Sequence, residues 1–321
     1  MRVLLTGSSG WLGRFTAPML RAAGHRVVGL DVAPGADTDV IGSVADRALV
    51  EALFAEHRFD AVVHSGALHK PDIVRYPAQA FVDVNVTGTL NLLEASVAHG
   101  VQRFVFTSTT SLMISAEIRA GASDTAIWLD ESFAPLEPRN IYGITKLAAE
   151  QLCRLYHQRH ALRAVVLRTG RFFPEDDDSD HSVEGENLKA NEFLNRRLTV
   201  EDAAAAHLAA IDRAPQLGFG IFVVAAPTPF SPDDVLPLKV NAATVIARYF
   251  PDAPALYAAR GWELPRTLDR VYDARRAERL LGFRCRTGFA EVLAALRAGG
   301  PLPFEHDPAY VSPLVAPNRG S

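Results

Sequence analysis

The stretch Thr6-Gly7-Ser8-Ser9-Gly10-Trp11-Leu12-Gly13 follows the apolar run Arg2-Val3-Leu4-Leu5 and leads into an amphipathic pattern over Leu12–Ala23. Three glycines in a strand-to-helix turn narrow the possible folds sharply. One permits the tight turn, one lets the backbone approach a pyrophosphate, and one allows the helix to close on the strand. Free N–H groups and the dipole at the helix start then favour an anion. The residues that follow keep the same rhythm. Candidate strands at Val27–Leu30, Ala61–His64, Arg103–Thr107 and Ala164–Leu167 alternate with helical patterns at Ala45–His57, Ala78–His99 and Tyr142–His160. Strands that read as continuous apolar runs are buried on both faces, so the expected class is α/β, a doubly wound parallel sheet.

Beyond Arg168 the pattern loosens. Residues 1–170 are expected to form a dinucleotide-binding core, continued by about 198–226. Residues 171–197 and 227–321 are expected to form a smaller substrate-binding lobe and tail. Within them Glu175–Glu186 reads as an acidic, mobile loop. Arg197–Arg213 reads as a strand-like lead into a helix, and Phe219–Ala225 as a strand. Helices are expected near Ala242–Phe250 and Gly288–Ala298, and Pro301–Ser321 as an extended tail. Pro18 falls inside the first helix, where a missing N–H is expected to kink it. No internal repeat is visible.

Composition excludes several functions. The formal net charge of −4 gives no general pull toward nucleic acid or an anionic membrane. No apolar run is long enough to cross a bilayer, and the chain opens directly on a strand, so no leader is expected. The two cysteines, Cys153 and Cys285, lack metal-ligand spacing and fit a reducing, cytoplasmic setting. The acidic run Glu175–Asp180 with His181 reads as a hydrated surface and not as a metal site.

Three further features carry chemistry. Asp31 ends the second candidate strand, where a carboxylate accepts the adenosine ribose hydroxyls and repels a 2′-phosphate; this favours NAD over NADP. Tyr142 and Lys146 stand at i and i+4, on one helix face. A free tyrosine ionises near pH 10, and a neighbouring ammonium together with an oxidised nicotinamide is expected to favour the phenolate. Phe104-Val105-Phe106-Thr107-Ser108-Thr109-Thr110-Ser111 ends in a run of hydroxyls at the carboxyl end of a strand, the end that faces the ligand crevice. One of these hydroxyls is expected to orient the reacting oxygen toward Tyr142.

These residues, with His64-Ser65-Gly66-Ala67 and Asn85-Val86-Thr87-Gly88-Thr89, give the chain a resemblance to extended short-chain dehydrogenases/reductases of the NAD-dependent epimerase/dehydratase type. The resemblance covers about residues 1–225 and implies a Rossmann-type core. It implies Thr109, Tyr142 and Lys146 as the catalytic set. For NAD it implies Gly7, Gly10, Trp11, Leu12, Gly13, Asp31, Gly66, Ala67, Asn85 and Lys146, and for substrate Thr110 and Arg171. It also implies a homodimer acting on a small sugar-like molecule.

Departures from the family pattern narrow the expectation. Thr110 and Ser111 stand where sugar-nucleotide 4,6-dehydratases carry Asp-Glu, so elimination of water is not expected. Ser43 stands where an adenine-contacting aspartate is frequent. Arg171 replaces an asparagine usual in epimerases, and Arg168-x-Gly-x-x-Phe-Pro is more similar to uronate dehydrogenases. Arg171 is a candidate clamp for a substrate carboxylate or phosphate, through its planar fork. Arg196, Arg197, Arg266 and Arg270 are further candidates for a phosphate. The expected activity is NAD-linked hydride transfer at a secondary alcohol of a sugar or sugar acid. Sugar-nucleotide epimerisation is the alternative, and a non-catalytic NAD sensor is a distant third.

Overall fold

A computed structural model describes residues 1–176, 183 and 185–312. In chain order the first half gives β1 (Arg2–Thr6), α1 (Gly13–Ala22), β2 (Arg26–Asp31), β3 (Val40–Ile41), α2 (Arg47–Glu56), β4 (Ala61–His64), α3 (Ala78–Phe81), α4 (Gly88–Ala98) and β5 (Arg103–Thr109). The second half gives α5 (Ala116–Ala120), β6 (Ile127–Leu129), α6 (Ile141–His160), β7 (Arg163–Thr169), α7 (Gly185–Glu192), α8 (Val200–Leu217) and β8 (Phe219–Val224). It closes with α9 (Val235–Tyr249), α10 (Ala253–Arg260), β9 (Arg270–Tyr272), α11 (Arg275–Leu281) and α12 (Phe289–Ala298).

Seven strands form one sheet in the order β3-β2-β1-β4-β5-β7-β8, and every pair runs parallel. Alternate residues of each strand feed two separate cores. Val3, Leu5, Val63, Val105, Val165 and Leu167 pack beneath α1 and α8. Leu4, Val62, Phe104, Phe106 and Val166 pack beneath α2, α4 and α6. Burial on both faces explains the unbroken apolar runs. The strand order reverses direction between β1 and β4, and a doubly wound sheet opens its ligand crevice at that point. A third core, including Phe193, Phe230, Leu238, Ile246, Tyr257, Phe289 and Val292, builds the C-terminal lobe from α7, α9, α10 and α12. The short β6–β9 pair joins that lobe to the segment after β5.

Several expectations change. The helix expected over Ala78–His99 is continuous from Ala78 to Ala98 and carries a π-helical turn at Val82–Thr87, between α3 and α4. Asn85 lies inside that turn. Its Oδ1 accepts from Leu68 N at 2.8 Å, and its Nδ2 donates to Leu68 O at 3.0 Å and Thr145 Oγ1 at 3.1 Å. Pro18 leaves α1 continuous, because it lies on the exposed face where the missing N–H costs least. The helix expected over Ala242–Phe250 is present as the second part of α9; a further helical stretch from Val235 precedes it, and the two meet at a kink at Asn241, whose φ of −156° is not helical. The helices α5, α7, α10 and α11 and the strands β3, β6 and β9 were not anticipated. All are short, and periodicity over so few residues carries little signal.

Residues 177–182 and 184 of the expected acidic loop, and 313–321 of the expected tail, lie outside the described residues. The described ends of that loop are ordered into the fold. The backbone carbonyls of Glu175 and Asp176 accept from Arg171, and Gly185 and Glu186 open α7. No described helix is long and apolar enough to cross a membrane.

Because Asn85 satisfies both backbone groups of buried Leu68, Asn85→Ala should cost about 3 kcal/mol of unfolding free energy. Urea denaturation measures this, and a loss below about 1 kcal/mol would contradict the assignment.

Candidate active site

The glycine turn is sterically forced. Gly7 has φ of +74°, and a Cβ there would lie 2.7 Å from Gly66 N; one on Gly13 would lie 2.1 Å from Gly7 O. The loop after β1, the loop after β4 and the start of α1 therefore meet with no room for side chains. Gly7, Gly10, Trp11, Leu12, Asp31, Ser43, Gly66 and Ala67 line a single cleft. Gly13 does not line it and serves the close helix–strand packing. Asp31 stands at the end of β2, with its carboxylate accepting from Ser9 N and Ala33 N, both at 2.9 Å. Burial raises its pKa, and those backbone bonds oppose the rise. A bare anion-binding turn, an apolar cleft floor and a carboxylate at the ribose end are the chemistry a dinucleotide requires.

Asn85 was expected in the cofactor set, but it does not line the cleft and its amide is committed inside the protein. It stands at the end of a buried relay. Thr89 Oγ1 donates to Asn85 O at 2.7 Å, so the 3.0 Å contact between His64 Nε2 and Thr89 Oγ1 has the ring as donor. His64 Nδ1 then accepts from Thr6 Oγ1 at 2.7 Å, and Thr6 Oγ1 accepts from Gly66 N at 3.1 Å. Burial, with the Lys146 charge, lowers the His64 pKa to about 3, which keeps the ring in this single neutral form.

The triad residues come together in a second cavity of about 310 Å³ lined by Thr109, Thr110, Tyr142, Lys146 and Arg171. Thr109 closes β5, and its hydroxyl accepts from Ser111 N at 3.1 Å. Thr110 Oγ1 donates to Thr169 O at 3.3 Å. Asn140 caps α6 by accepting from Gly143 N at 2.9 Å, which fixes the turn that carries Tyr142. Lys146 Nζ lies 4.1 Å over the Phe106 ring. One turn further, Glu150 is fully buried; it forms a two-pronged pair with Arg168 (2.7 Å at its shortest) and accepts from Ser108 Oγ at 2.5 Å.

The electrostatics of the pair are set first by burial. Burial pushes Tyr142 up to about 12, with Asp72 adding to the rise and a hydrogen bond from Thr109 opposing it. Burial pulls Lys146 down to about 7 against the nearby Cys153 and Glu150. Desolvation is therefore the dominant cause at both groups.

The arginines divide. Arg196 and Arg270 line the cavity, as expected for a substrate contact. Arg197 does not: it is 1% exposed, pairs with Glu192 at 2.8 Å and donates to Phe173 O at 2.6 Å, so its guanidinium ties the lobe internally. Arg266 is exposed near Glu263 and lines no cavity described here. Arg171 reaches the cavity but donates to the Glu175 and Asp176 carbonyls, both at 2.9 Å, with the Glu175 carboxylate 3.6 Å away. No cluster of potential metal ligands occurs among the described residues.

Sequence reasoning missed His69 and Asp72. The His69 ring lies 5.8 Å from Tyr142 and 5.4 Å from Phe173 between ring centroids, and burial lowers its pKa to about 4. The Asp72 carboxylate accepts from His69 N at 2.7 Å. A carboxylate three residues after His69 is a recognisable turn signal, but its nearness to Tyr142 depends on tertiary packing.

Fold and site together define a nicotinamide-dinucleotide-binding enzyme of the short-chain dehydrogenase/reductase type. The sequence profile of the NAD dependent epimerase/dehydratase family matches residues 3–189, and the chain belongs to that family. It is 34% identical over 185 residues to UDP-glucose 4-epimerase 4 of Oryza sativa subsp. japonica, a match covering 52% of this chain and 48% of the relative. It is 30% identical over 198 residues to L-arabinose 1-dehydrogenase (NAD(P)(+)) of Haloferax volcanii, covering 58% and 73%. The match thus spans about half the length of several curated relatives. Among solved structures, glucuronic acid dehydrogenase from Chromohalobacter salexigens superposes with a TM-score of 0.62 at 22% identity, covering 97% of this chain and 94% of that one. That likeness concerns the fold.

The Lys146 pKa implies a pH dependence. It is lowered from the ordinary 10.5 to about 7, so the unfolded chain binds more protons between those values and stability rises with pH across that window. Lys146→Met should remove that slope and leave the melting temperature near neutral pH unchanged or higher, while turnover is lost. A lower melting temperature with an unaltered slope would contradict the buried-charge account.

Proposed function

We propose that the chain catalyses reversible NAD-linked hydride transfer at a secondary alcohol of a sugar-acid-like substrate. The observation that carries this reading is the convergence of Thr109, Tyr142 and Lys146 in a cavity whose described lining holds six arginines against Asp72, Glu175 and Asp176. Guanidinium groups along the wall offer forked donors to an anionic substrate. At about 310 Å³ the cavity lies at the lower end of the roughly 300–1,000 Å³ usual for small-molecule sites, a size suited to one sugar ring.

Gly7, Gly10, Trp11, Leu12, Asp31, Gly66 and Ala67 would hold NAD, which supplies the hydride acceptor and a positive ring when bound. Thr109 orients the substrate hydroxyl. Tyr142 takes its proton as the carbonyl forms, and Lys146 supports the phenolate. Arg171 and Thr110 border the substrate end. Asp72 and burial keep Tyr142 protonated until positive charge arrives, so the base is uncovered only in the loaded site.

A second reading is sugar-nucleotide epimerisation. An adjoining polar pocket of about 260 Å³, lined by Asn191, Asn195, Thr267 and Asp269, shares Arg119, Arg196 and Arg270 with the main cavity. The two together would take a longer, phosphate-bearing substrate. Incubation with NAD and either hexuronates or UDP-glucose separates the readings. Stoichiometric NADH from a hexuronate supports the first; UDP-galactose without net NADH supports the second and overturns the first.

The family-like homodimer and the cytoplasmic setting belong to this proposal. Ile144 and Leu155 are exposed on α6, 52% and 39%, at a spacing that puts them on one face. Sedimentation as a monomer at working concentration would remove the dimer.

Tyr142→Phe should lower kcat at least about a hundredfold while NAD still binds. Catalytic efficiency with NAD should exceed that with NADP by about tenfold or more, given the Asp31 carboxylate at the ribose end. Unchanged turnover in the first case, or equal efficiency in the second, would remove that residue from its role.

A further inference from the structure

The cofactor cleft has a wall that the glycine motif does not supply. After α12 the chain turns back across the molecule, with Phe304 packed on Phe193 of the C-terminal lobe at 5.4 Å between centroids. Asp307 N donates to Pro174 O at 3.0 Å. Tyr310 then lands edge-on against Trp11 of the glycine turn, with ring centroids 5.1 Å apart at 62°. The Arg14 guanidinium lies over both rings, 5.1 Å from Trp11 and 5.8 Å from Tyr310. Trp11 is fixed from the other side, since its Nε1 donates to Phe172 O at 3.2 Å. Two residues on, Ser312 lines both the cofactor cleft and the substrate cavity.

We infer that residues 307–312 are part of the NAD site, and that the seat of Tyr310 on Trp11 sets the rate at which the dinucleotide leaves. With this segment in place the cleft beside the glycine turn holds about 120 Å³ and adjoins the 310 Å³ cavity along Ser65, His69, Thr107 and Ser312, so the segment borders the path between the two spaces. The other walls are poorly suited to move. Gly7, Gly13 and Gly66 are in backbone contact, Asp31 is tied to the turn through Ser9, and the loop after β4 is held by Thr6 and Asn85. The tail is different. Among the described residues its backbone joins the rest of the protein through the Asp307–Pro174 bond alone, and its grip on the glycine turn is an aromatic and cation–π contact. Such a contact is short-ranged. It also links cofactor exchange to the substrate side, because one segment walls both spaces.

The inference rests on the NAD-site assignment and is independent of the substrate. NADH is bound to the native protein, to Tyr310→Ala, to Tyr310→Phe and to a chain ending at Glu305. It is then displaced by excess NAD while NADH fluorescence is followed. Tyr310→Ala and the shortened chain should release NADH about tenfold faster, equivalent to about 1.4 kcal/mol of closing contact. Tyr310→Phe, which keeps the ring, should stay within about twofold of native on the same scale. Circular dichroism and melting temperature report whether each variant is folded, and Tyr310→Ala decides the matter if the shortened chain does not fold. Native release rates in a folded Tyr310→Ala variant would overturn the inference while leaving the cofactor site intact. Failure of the native protein to bind NADH would overturn both.

Discussion

The buried hydrogen-bond relay from Gly66 to Thr145 is the constraint on which the rest depends. Gly66 N–H donates to Thr6, Thr6 to His64, His64 to Thr89, Thr89 to the Asn85 carbonyl, and the Asn85 amide to Thr145. Each member has one assignment of donor and acceptor once the next is fixed, and the depressed His64 pKa removes the protonated alternative. The relay starts on the loop that faces the glycine turn and ends on α6, one residue before Lys146. It sets the distance between the cofactor cleft and the catalytic helix. A relay in low dielectric is stable only when every group is satisfied, so it holds that distance with little slack.

Around that frame the protein accumulates buried charge. Glu150 and Arg168 neutralise one another beside Ser108, Arg197 is neutralised by Glu192, and Lys146 is left with a ring face and a lowered pKa. A paired buried charge contributes specificity more than stability. Lys146 makes no ion pair among the described residues and rests on the Phe106 ring face instead. Tyr142 is treated in the same way, held protonated by burial and by Asp72. Desolvation is thus the first cause of the shift at both groups.

Much of this was legible in the residues. The glycine spacing, the apolar runs and the i, i+4 pair Tyr142/Lys146 depend on local geometry, and they placed the central strands, the main helices and the triad. What failed was informative. Asn85 was counted as a cofactor contact, and only its partners Leu68 and Thr145 show that its amide is committed inside the protein. Arg197 reads from sequence like Arg196, and both pair with Glu192, yet Arg197 is buried and donates to Phe173 O while Arg196 also borders the cavity. Adjacent positions on a chain face different ways, and composition cannot say which is buried.

Sequence alone determined that this chain would build a parallel sheet with a phosphate-binding turn, and that a phenol and an ammonium would share a helix face. Those features rest on steric rules and periods that act within a few residues. Tertiary structure decided the rest. It set the pKa order of Tyr142 and Lys146, because desolvation depends on what covers a group. It brought His69 and Asp72 to the phenol, and it carried Tyr310 back to Trp11 from the far end of the chain. Burial and contact between distant segments are properties of the packed molecule, and no local pattern encodes them.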